Sequence, residues 1–200
     1  MAIGSETRSR REQIVDTAAA LFSKRGYHAT TVRDIAEAAG LLSGSLYTHI
    51  RSKEDLLHDI VMEAAGRFLE DLEAVVQDPG NPRQKLRSAM RAHVRVVADD
   101  VEAARVFHHE WRALTGERLS RVVRLRDSYE VMWDGIVREL PGATDPKLAR
   151  LLVLSAANWV YTWYDPAGPL SPDEVADGFT DLLLRGLRGG NGKVKDEVMA

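Results

Sequence analysis

A short stretch of the sequence combines small and polar side chains with the spacing of a single helix. Its outward-facing positions are Ser43, Gly44, Ser45, Tyr47, Thr48 and His49. Leu46 and Ile50, four residues apart, give the same helix one apolar face. Small residues let a helix approach base edges in a DNA major groove, and Tyr47 and His49 can reach phosphates or bases. The chemistry that these residues offer is recognition of a nucleic acid.

Positive charge is concentrated near this stretch. Residues 1–53 hold eight Lys/Arg and five Asp/Glu, whereas residues 54–200 hold 19 and 25, within a net charge of -3 for the whole chain. A basic part on an acidic body suits contact with a polyanion. The further candidate DNA-binding residues are Arg10, Arg11, Thr31, Arg33 and Lys53. Lys53 should begin the next helix, where exposed backbone N–H groups also attract a phosphate.

Two short helices joined by a glycine-containing turn must position these side chains. Thr31 and Asp34 form a capping-box pattern at the start of the first helix, and Gly40 supplies its stop. Ser43 can cap the second helix. The arrangement is typical of a helix-turn-helix, whose second helix reads the major groove. From the pattern alone, the alternative is an αα-hairpin whose charges are simply solvated.

Apolar residues recur at helical spacing along nearly the whole chain, and no segment shows the alternation of a strand. We expect an all-α fold of about nine helices, at 9–25, 32–39, 43–49, 53–76, 83–99, 101–114, 117–139, 146–163 and 172–188. Two of the first three helices are very short and need neighbours to be stable, whereas the later ones are long. We therefore predict a helix-turn-helix head at 1–53 and a helical bundle at 54–200.

Several classes of function are excluded by what the sequence lacks. There is no cysteine, which excludes disulfides and thiolate metal sites. It contains no Gly-rich phosphate loop, nucleophile turn or His-Glu-x-x-His helix, so we expect no enzyme activity and no cofactor. His108 and His109 are adjacent and point ~100° apart on a helix, so we expect no metal. Without a secretory signal or an apolar run of ~20 residues, we expect a soluble cytoplasmic protein.

The same segments resemble the signature of the TetR family of transcriptional repressors. The resemblance rests on the runs from Gly44 to Leu56, from Ala19 to Phe22 with Gly26 and Tyr27, and from Thr31 to Ala36. It covers about residues 10–57, with Ile50 where the family usually has phenylalanine. The resemblance implies an all-helical homodimer with an effector-binding domain at 54–200. It also implies a repressor that leaves a near-palindromic double-stranded DNA operator when a small molecule binds.

Aromatic and apolar residues of the C-terminal part are candidates for the effector site and the dimer contact. The candidate ligand-binding residues are Phe107, His108, Trp111, Tyr129, Met132, Trp133, Trp159 and Trp163. An apolar pocket with a few polar groups is the expected form of such a site, and ordinary core packing is the alternative for each aromatic ring. The resemblance favours a dimer contact between the last two helices through Leu151, Leu152, Phe179 and Leu183.

The stretch from Trp159 to Pro172 is similar to a motif of a TetR subgroup that regulates fatty-acid and sterol degradation in actinobacteria and bacilli. Several members of that subgroup release DNA on binding an acyl-CoA. The resemblance therefore implies an acyl-CoA or a steroid-derived thioester as the effector. Two alternatives stay open, a TetR-like regulator of efflux that responds to a hydrophobic drug and a helical protein-interaction module without specific DNA binding. Activation of a target instead of repression is also open.

Overall fold

The computed structural model describes residues 9–142 and 145–189, with side chains placed as far as residue 186. These residues form helices and no strand, which confirms the all-α fold. The α-helices are α1 (Arg10–Arg25), α2 (Val32–Ala38), α3 (Ser43–Leu46), α4 (Lys53–Gln77), α5 (Pro82–Asp99), α6 (Val101–His109), α7 (Gly116–Arg138), α8 (Pro146–Asn158) and α9 (Pro172–Gly189). Within the described ranges, no helix is both long enough and apolar enough to cross a membrane.

Local side-chain hydrogen bonds explain where the first helices begin and end. At α1 the amide of Glu12 donates to the Ser9 hydroxyl at 3.2 Å, and its carboxylate accepts from the Ser9 amide at 2.7 Å. The predicted capping box forms at α2, because the Asp34 amide donates to the Thr31 hydroxyl at 3.1 Å and the Thr31 amide donates back at 2.7 Å. Gly40 has a φ of 67°, the left-handed conformation expected after a helix end.

The recognition helix is shorter than its sequence pattern predicts. It ends at Leu46 instead of residue 49, and the Thr48 hydroxyl donates to the carbonyl of Ser45 at 2.7 Å, which competes with continuation of the helix. The prediction that Ser43 caps this helix is wrong. The cap position is Leu42, which has the extended backbone of a cap residue and a side chain with no acceptor.

Two further predicted helices are also interrupted before their predicted ends. The pattern over 101–114 becomes α6 followed by a 3-10 turn at Trp111–Ala113. The pattern over 146–163 becomes α8 followed by a 3-10 turn at Trp159–Thr162, where the Thr162 hydroxyl donates to the carbonyl of Trp159 at 2.7 Å. Apolar spacing does not distinguish an α-helix from a tighter last turn, so the pattern overestimates both lengths.

The chain divides into two compact units that do not follow the chain order. The first contains the residues up to 67 together with 100–126, and the second contains 68–99 and the residues from 127 onward. In the first unit α1 packs against α2 and α6 around the buried side chains Ile14, Ala18, Phe22, Ile35, Leu46 and Leu57. In the second unit α5 packs along α9 and contacts α8. The helix-turn-helix thus shares a unit with α6 and the start of α7.

Candidate nucleic-acid interface and effector residues

One side of α3 and the turns beside it present a set of accessible groups. We call this set the recognition surface, and it consists of Leu42, Ser43, Gly44, Ser45, Tyr47, Thr48 and His49. Leu42 is 81% exposed and Tyr47 is 56% exposed, while Leu46 and Ile50 on the opposite side are buried as their spacing predicts. A Cβ added at Gly44 would meet no heavy atom within 4 Å. Internal packing therefore does not require glycine at this position, and the missing side chain leaves room for an outside molecule to approach.

Leu42 is a candidate contact residue that the sequence pattern did not reveal. The pattern assigns the cap to Ser43 and gives Leu42 no role, whereas the structure exposes the Leu42 side chain at the start of α3. An aliphatic side chain at that place can contact the methyl group of thymine in a major groove.

Replacement of Leu42 by serine should separate stability from recognition. A serine would accept a hydrogen bond at the start of α3, so we expect the head to gain roughly 1 kcal/mol in free energy of unfolding. The same change removes the apolar contact, so we expect weaker operator binding. Chemical denaturation and fluorescence anisotropy on labelled operator DNA measure the two effects. A more stable variant with unchanged operator affinity would show that Leu42 contacts no base.

The predicted N-terminal arginines are already engaged inside the first unit. Arg10 donates from Nη2 to the carbonyl of Ala39 at 2.8 Å, and Arg11 forms an ion pair with Asp59. Arg33, on α2, is exposed. Arg11, His49 and Arg51 line a shallow cavity of about 300 Å³ at one edge of the recognition surface, together with the carboxylates of Asp55 and Asp59, which offset the two arginines.

Lys53 begins α4 as predicted, but its ammonium group points into the protein. It donates to the carbonyls of Tyr27 at 2.9 Å and Thr30 at 2.8 Å, and it lies 4.1 Å from the centre of the Tyr27 ring. Burial lowers the pKa of Lys53, and the charge of Glu110 opposes that shift. The side chain therefore holds the loop between α1 and α2, and it supports the recognition surface instead of extending from it.

A cluster that the sequence did not reveal joins the start of α4 to the start of α7. We call it the α4–α7 clasp, and it consists of Glu54, Asp55, Thr115 and Arg118. The amide and hydroxyl of Thr115 both donate to Glu54 at 2.9 Å, and Arg118 pairs with Glu54 at 3.1 Å and with Asp55. The hydrogen bond from the Thr115 backbone holds the pKa of Glu54 below its usual value. The partners are more than 60 positions apart in sequence, so no local pattern announces them.

Asp55 connects this clasp to the recognition surface. Its carboxylate accepts from the amides of Arg51 and Ser52, each at 3.0 Å, and so closes the turn between α3 and α4. The other oxygen of the same carboxylate pairs with Arg118. A displacement of the start of α7 would therefore act directly on the turn that follows the recognition helix.

The candidate ligand-binding residues fall into both compact units. In the first unit Phe107 is buried, and His108 and Trp111 are half-buried. The Arg126 guanidinium lies 4.8 Å from the Trp111 ring centre and 5.5 Å from that of Phe107. The indole N–H of Trp111 is buried and has no hydrogen-bond partner among the described residues. A buried donor without an acceptor costs stability, so this group is suited to donate to a bound molecule.

In the second unit two predicted residues, Tyr129 and Trp133, join an aromatic cluster with Phe68 and His93. His93 Nδ1 lies 2.7 Å from the Tyr129 hydroxyl, and the His93 ring lies 4.7 Å from that of Phe68 between centres. Trp133 is fully buried, and Met132 is half-buried. Burial lowers the pKa of His93 to about 3, and a hydrogen bond from the ring to the backbone of Ala157 opposes the shift. Burial also raises the pKa of Tyr129.

The neutral His93 makes folding sensitive to acid. The folded state takes up the His93 proton only near pH 3, and the unfolded chain takes it up near pH 6.5, so between these values the unfolded state binds more protons. The contribution of neutral His93 to the free energy of unfolding is therefore fully present above pH 6.5. Below pH 6.5 the free energy of unfolding falls by up to about 1.4 kcal/mol per pH unit. Chemical denaturation between pH 5 and 7 measures this slope above the range where carboxylates titrate. The His93→Gln variant should flatten it, and an unchanged slope would contradict this origin.

Trp159 and Trp163 lie on the surface instead of inside a cavity. They are 62% and 46% exposed, which differs from the expectation that they face an enclosed ligand. Neighbouring exposed apolar residues on α8 and α9 are Leu148, Leu151, Leu152 and Leu182. Phe179 and Leu183 are half-buried, and the Phe179 ring centre lies 6.1 Å from that of Trp163. We call the following residues the apolar surface of α8 and α9: Leu148, Leu151, Leu152, Trp159, Trp163, Phe179, Leu182 and Leu183. So many exposed apolar side chains favour burial against another protein surface.

Family models match both parts of the chain. Residues 14–60 match the model described as bacterial regulatory proteins, tetR family. Residues 79–187 match the model described as the tetracyclin repressor-like C-terminal domain. The first range contains the whole recognition surface, and the second contains α5 to α8 and most of α9.

Full-length relatives and solved structures agree with these matches. The HTH-type transcriptional repressor KstR2 of Mycolicibacterium smegmatis is 30% identical over 195 residues, which cover 94% of this chain and 95% of that protein. The fatty acid metabolism regulator protein of Bacillus subtilis is 28% identical over 182 residues, or 88% of this chain and 94% of that protein. The crystal structure of AibR in complex with isovaleryl coenzyme A and operator DNA superposes with a TM-score of 0.76 at 30% identity, covering 88% of this chain and 98% of AibR.

Proposed function

The chain belongs to the TetR family of bacterial transcriptional regulators, and on this premise we propose that it is a homodimeric repressor released from its operator by an acyl-CoA. Like its relatives, it is a DNA-binding regulator and not an enzyme. The observation that carries the proposal is the recognition surface, which pairs exposed small and polar groups with a buried anchor at Leu46. We propose that it acts in the cytoplasm, where a bacterial regulator meets its operator DNA.

The recognition surface would enter the major groove with α3 leading. Ser43, Gly44 and Ser45 permit close approach, and Tyr47, Thr48 and His49 supply hydrogen bonds to bases and phosphates. Arg33 would bind the flanking backbone, and Arg11 would join it by exchanging Asp59 for a phosphate, with Arg10, Thr31 and Lys53 positioning the helices. Two copies in a dimer would present these surfaces about 34 Å apart, one turn of DNA, which requires a near-palindromic operator.

An acyl-CoA is the effector class that the relatives favour. AibR has been crystallised with isovaleryl coenzyme A and operator DNA together, and a second relative is named for fatty acid metabolism. In this chain, the unpartnered indole N–H of Trp111 would donate to a carbonyl such as that of a thioester. Phe107 and the Arg126 guanidinium beside it offer an apolar wall and a positive charge for the same molecule. A steroid-derived thioester satisfies the same chemistry.

The structural change that releases the protein from DNA would be transmitted within the first compact unit. The segment 100–126 that carries Trp111 lies in the same unit as the head, where α6 packs on α1. The α4–α7 clasp ties the start of α7 to the turn after α3. If DNA binding favours one position of this segment and the ligand favours another, then each weakens the binding of the other, because linkage makes the coupling reciprocal.

Loss of Arg118 should uncouple the two sites. We expect an acyl-CoA to lower operator affinity of the natural protein by about 5- to 150-fold, the usual range of such coupling. In the Arg118→Gln variant this factor should approach one, because the carboxylates of Glu54 and Asp55 lose their shared cation. Anisotropy titrations on operator DNA with and without isovaleryl-CoA measure the factor. Arg121→Gln, an exposed arginine one turn along α7, is the control and should respond normally.

A footprint on the promoter beside the gene, repeated with a panel of effectors, tests the whole proposal. We expect protection of one near-palindrome that disappears with an acyl-CoA but persists with free coenzyme A. Release by hydrophobic drugs instead would identify an efflux regulator. No sequence-specific protection even at low salt would overturn the DNA-binding role, and binding of a protein partner that responds weakly to salt would then favour an interaction module.

A further inference from the structure

A polar cavity lies where the start of α5 meets the end of α9 in the second unit. It has a volume of about 380 Å³ and is lined by Asn81, Arg83, Gln84, Arg87, Asp181, Leu184 and Arg185. Three of these side chains are arginines and one is an aspartate. The cavity is therefore positively charged, although residues 54–200 as a whole are acidic.

A ladder of ion pairs explains how this charge arises. Arginines occur at every fourth position of α5, and aspartates occur at every fourth position of α9. Arg95 pairs with Asp173 at 2.5 Å, Arg91 pairs with Asp177 at 2.5 Å, and Arg87 pairs with Asp181. The spacing assigns the next rung to Arg83 and position 185.

Position 185 breaks the ladder, because it holds an arginine. Arg83 and Arg185 line the same cavity, and neither has a carboxylate partner among the described side chains. Two like charges on facing helices repel each other, in contrast to the attraction on the other rungs. The ladder thus ends in an open pair of guanidinium groups that an added anion would bridge.

The backbone at the start of α5 does not compete for this role. The Asn81 side-chain carbonyl already accepts from the amides of Arg83 at 3.1 Å and Gln84 at 3.0 Å. The Asn81 side-chain amide in turn donates to the Gln84 side chain at 2.6 Å. Recognition of an anion in this cavity therefore depends on the guanidinium groups.

We propose that this cavity binds a phosphate group, held by Arg83 and Arg185 with Arg87 beside them. The planar guanidinium group forms two parallel hydrogen bonds with phosphate oxygens. Arginine stays protonated even beside a second arginine, so two guanidinium groups can bind one phosphate with both charges present. The volume lies at the lower end of the range of small-molecule sites, which suits free phosphate and also a phosphorylated small molecule. The site is independent of the recognition surface and of the proposed effector residues.

Isothermal titration of the DNA-free protein tests the site, with inorganic phosphate and adenosine 3′,5′-bisphosphate as probes and chloride holding the ionic strength constant. We expect saturable binding of at least one probe. Binding of both identifies the phosphate as the recognised group, and binding of the bisphosphate alone identifies a nucleotide as the source; both outcomes support the site. No saturable binding of either probe would overturn it.

Two variants give the proposal a sharper test. Arg185→Glu extends the acidic row of α9, so it completes the ladder with Arg83 and should weaken the binding by about tenfold or more. Arg83→Gln should weaken it similarly. Arg121→Glu makes the same charge change as Arg185→Glu on α7, outside the cavity, and should leave the affinity unchanged. Equal losses in Arg185→Glu and Arg121→Glu would show a general effect of net charge and would refute the site.

Discussion

A variant with Ser45, Tyr47 and His49 replaced by alanine will lose sequence-specific operator binding while it keeps its fold. Each good contact to a base is worth about 1–3 kcal/mol, and a dimer makes every contact twice, so the operator affinity should fall to the level of random DNA, about 10³-fold or more. The fold should survive because Leu46 and Ile50, which anchor this helix, are unchanged. Gel-shift titrations on operator and scrambled duplexes measure the loss.

The fold of this variant must be checked in parallel. Thermal unfolding followed by circular dichroism should change little, because none of the three side chains is buried. Glu63→Ala, which removes an exposed side chain on α4 away from the recognition surface, is the control and should bind operator normally. A triple variant that still distinguishes operator from scrambled DNA would place base recognition elsewhere in the chain.

Replacement of Leu152 by glutamate will convert the dimer to a monomer and remove operator binding with it. Leu152 is 59% exposed within the apolar surface of α8 and α9, and in a symmetric contact its replacement would bury two uncompensated carboxylates, one from each subunit. A monomer binds only one half-site and loses the avidity of the pair, which is worth about 10²-fold or more. Analytical ultracentrifugation and operator titration measure the two losses together.

Val76→Glu is the matched control for the dimer prediction. Val76 is also an exposed apolar residue, but it lies near the end of α4, outside the apolar surface of α8 and α9. We expect this variant to remain dimeric and to bind operator. If Leu152→Glu sediments as a dimer, the subunit contact does not use this surface, and Trp159 and Leu151 then need another partner.

Local patterns predict which segments are helical, but they overestimate the length of three helices and do not predict the long-range contacts. The box at Thr31 and Asp34 and the stop at Gly40 were readable because each depends on residues within a few positions. The role of Lys53 was not readable, since its acceptors are the carbonyls of Tyr27 and Thr30, more than 20 positions away. A basic residue at the start of a helix looks the same in sequence whether its side chain contacts a phosphate or the protein's own backbone.

The candidate effector residues show that local patterns also do not predict which side chains are buried. Spacing identified Trp133 and Trp159 equally well as aromatic positions, but one is fully buried and the other is 62% exposed. His93 carried no signal of its own, because the Tyr129 hydroxyl that it contacts is 36 positions away. Which aromatic ring faces the interior is decided by packing between helices, and one sequence alone does not record it.

The brevity of α3 has a consequence for the free protein. A helix of four residues without a capping side chain has few hydrogen bonds to lose, so its backbone amides should exchange with solvent faster than those of α1 or α4. Operator DNA would supply the missing contacts and slow that exchange. Part of the binding energy would then be spent on ordering the helix, and the protein would recognise its site partly by completing its own structure there.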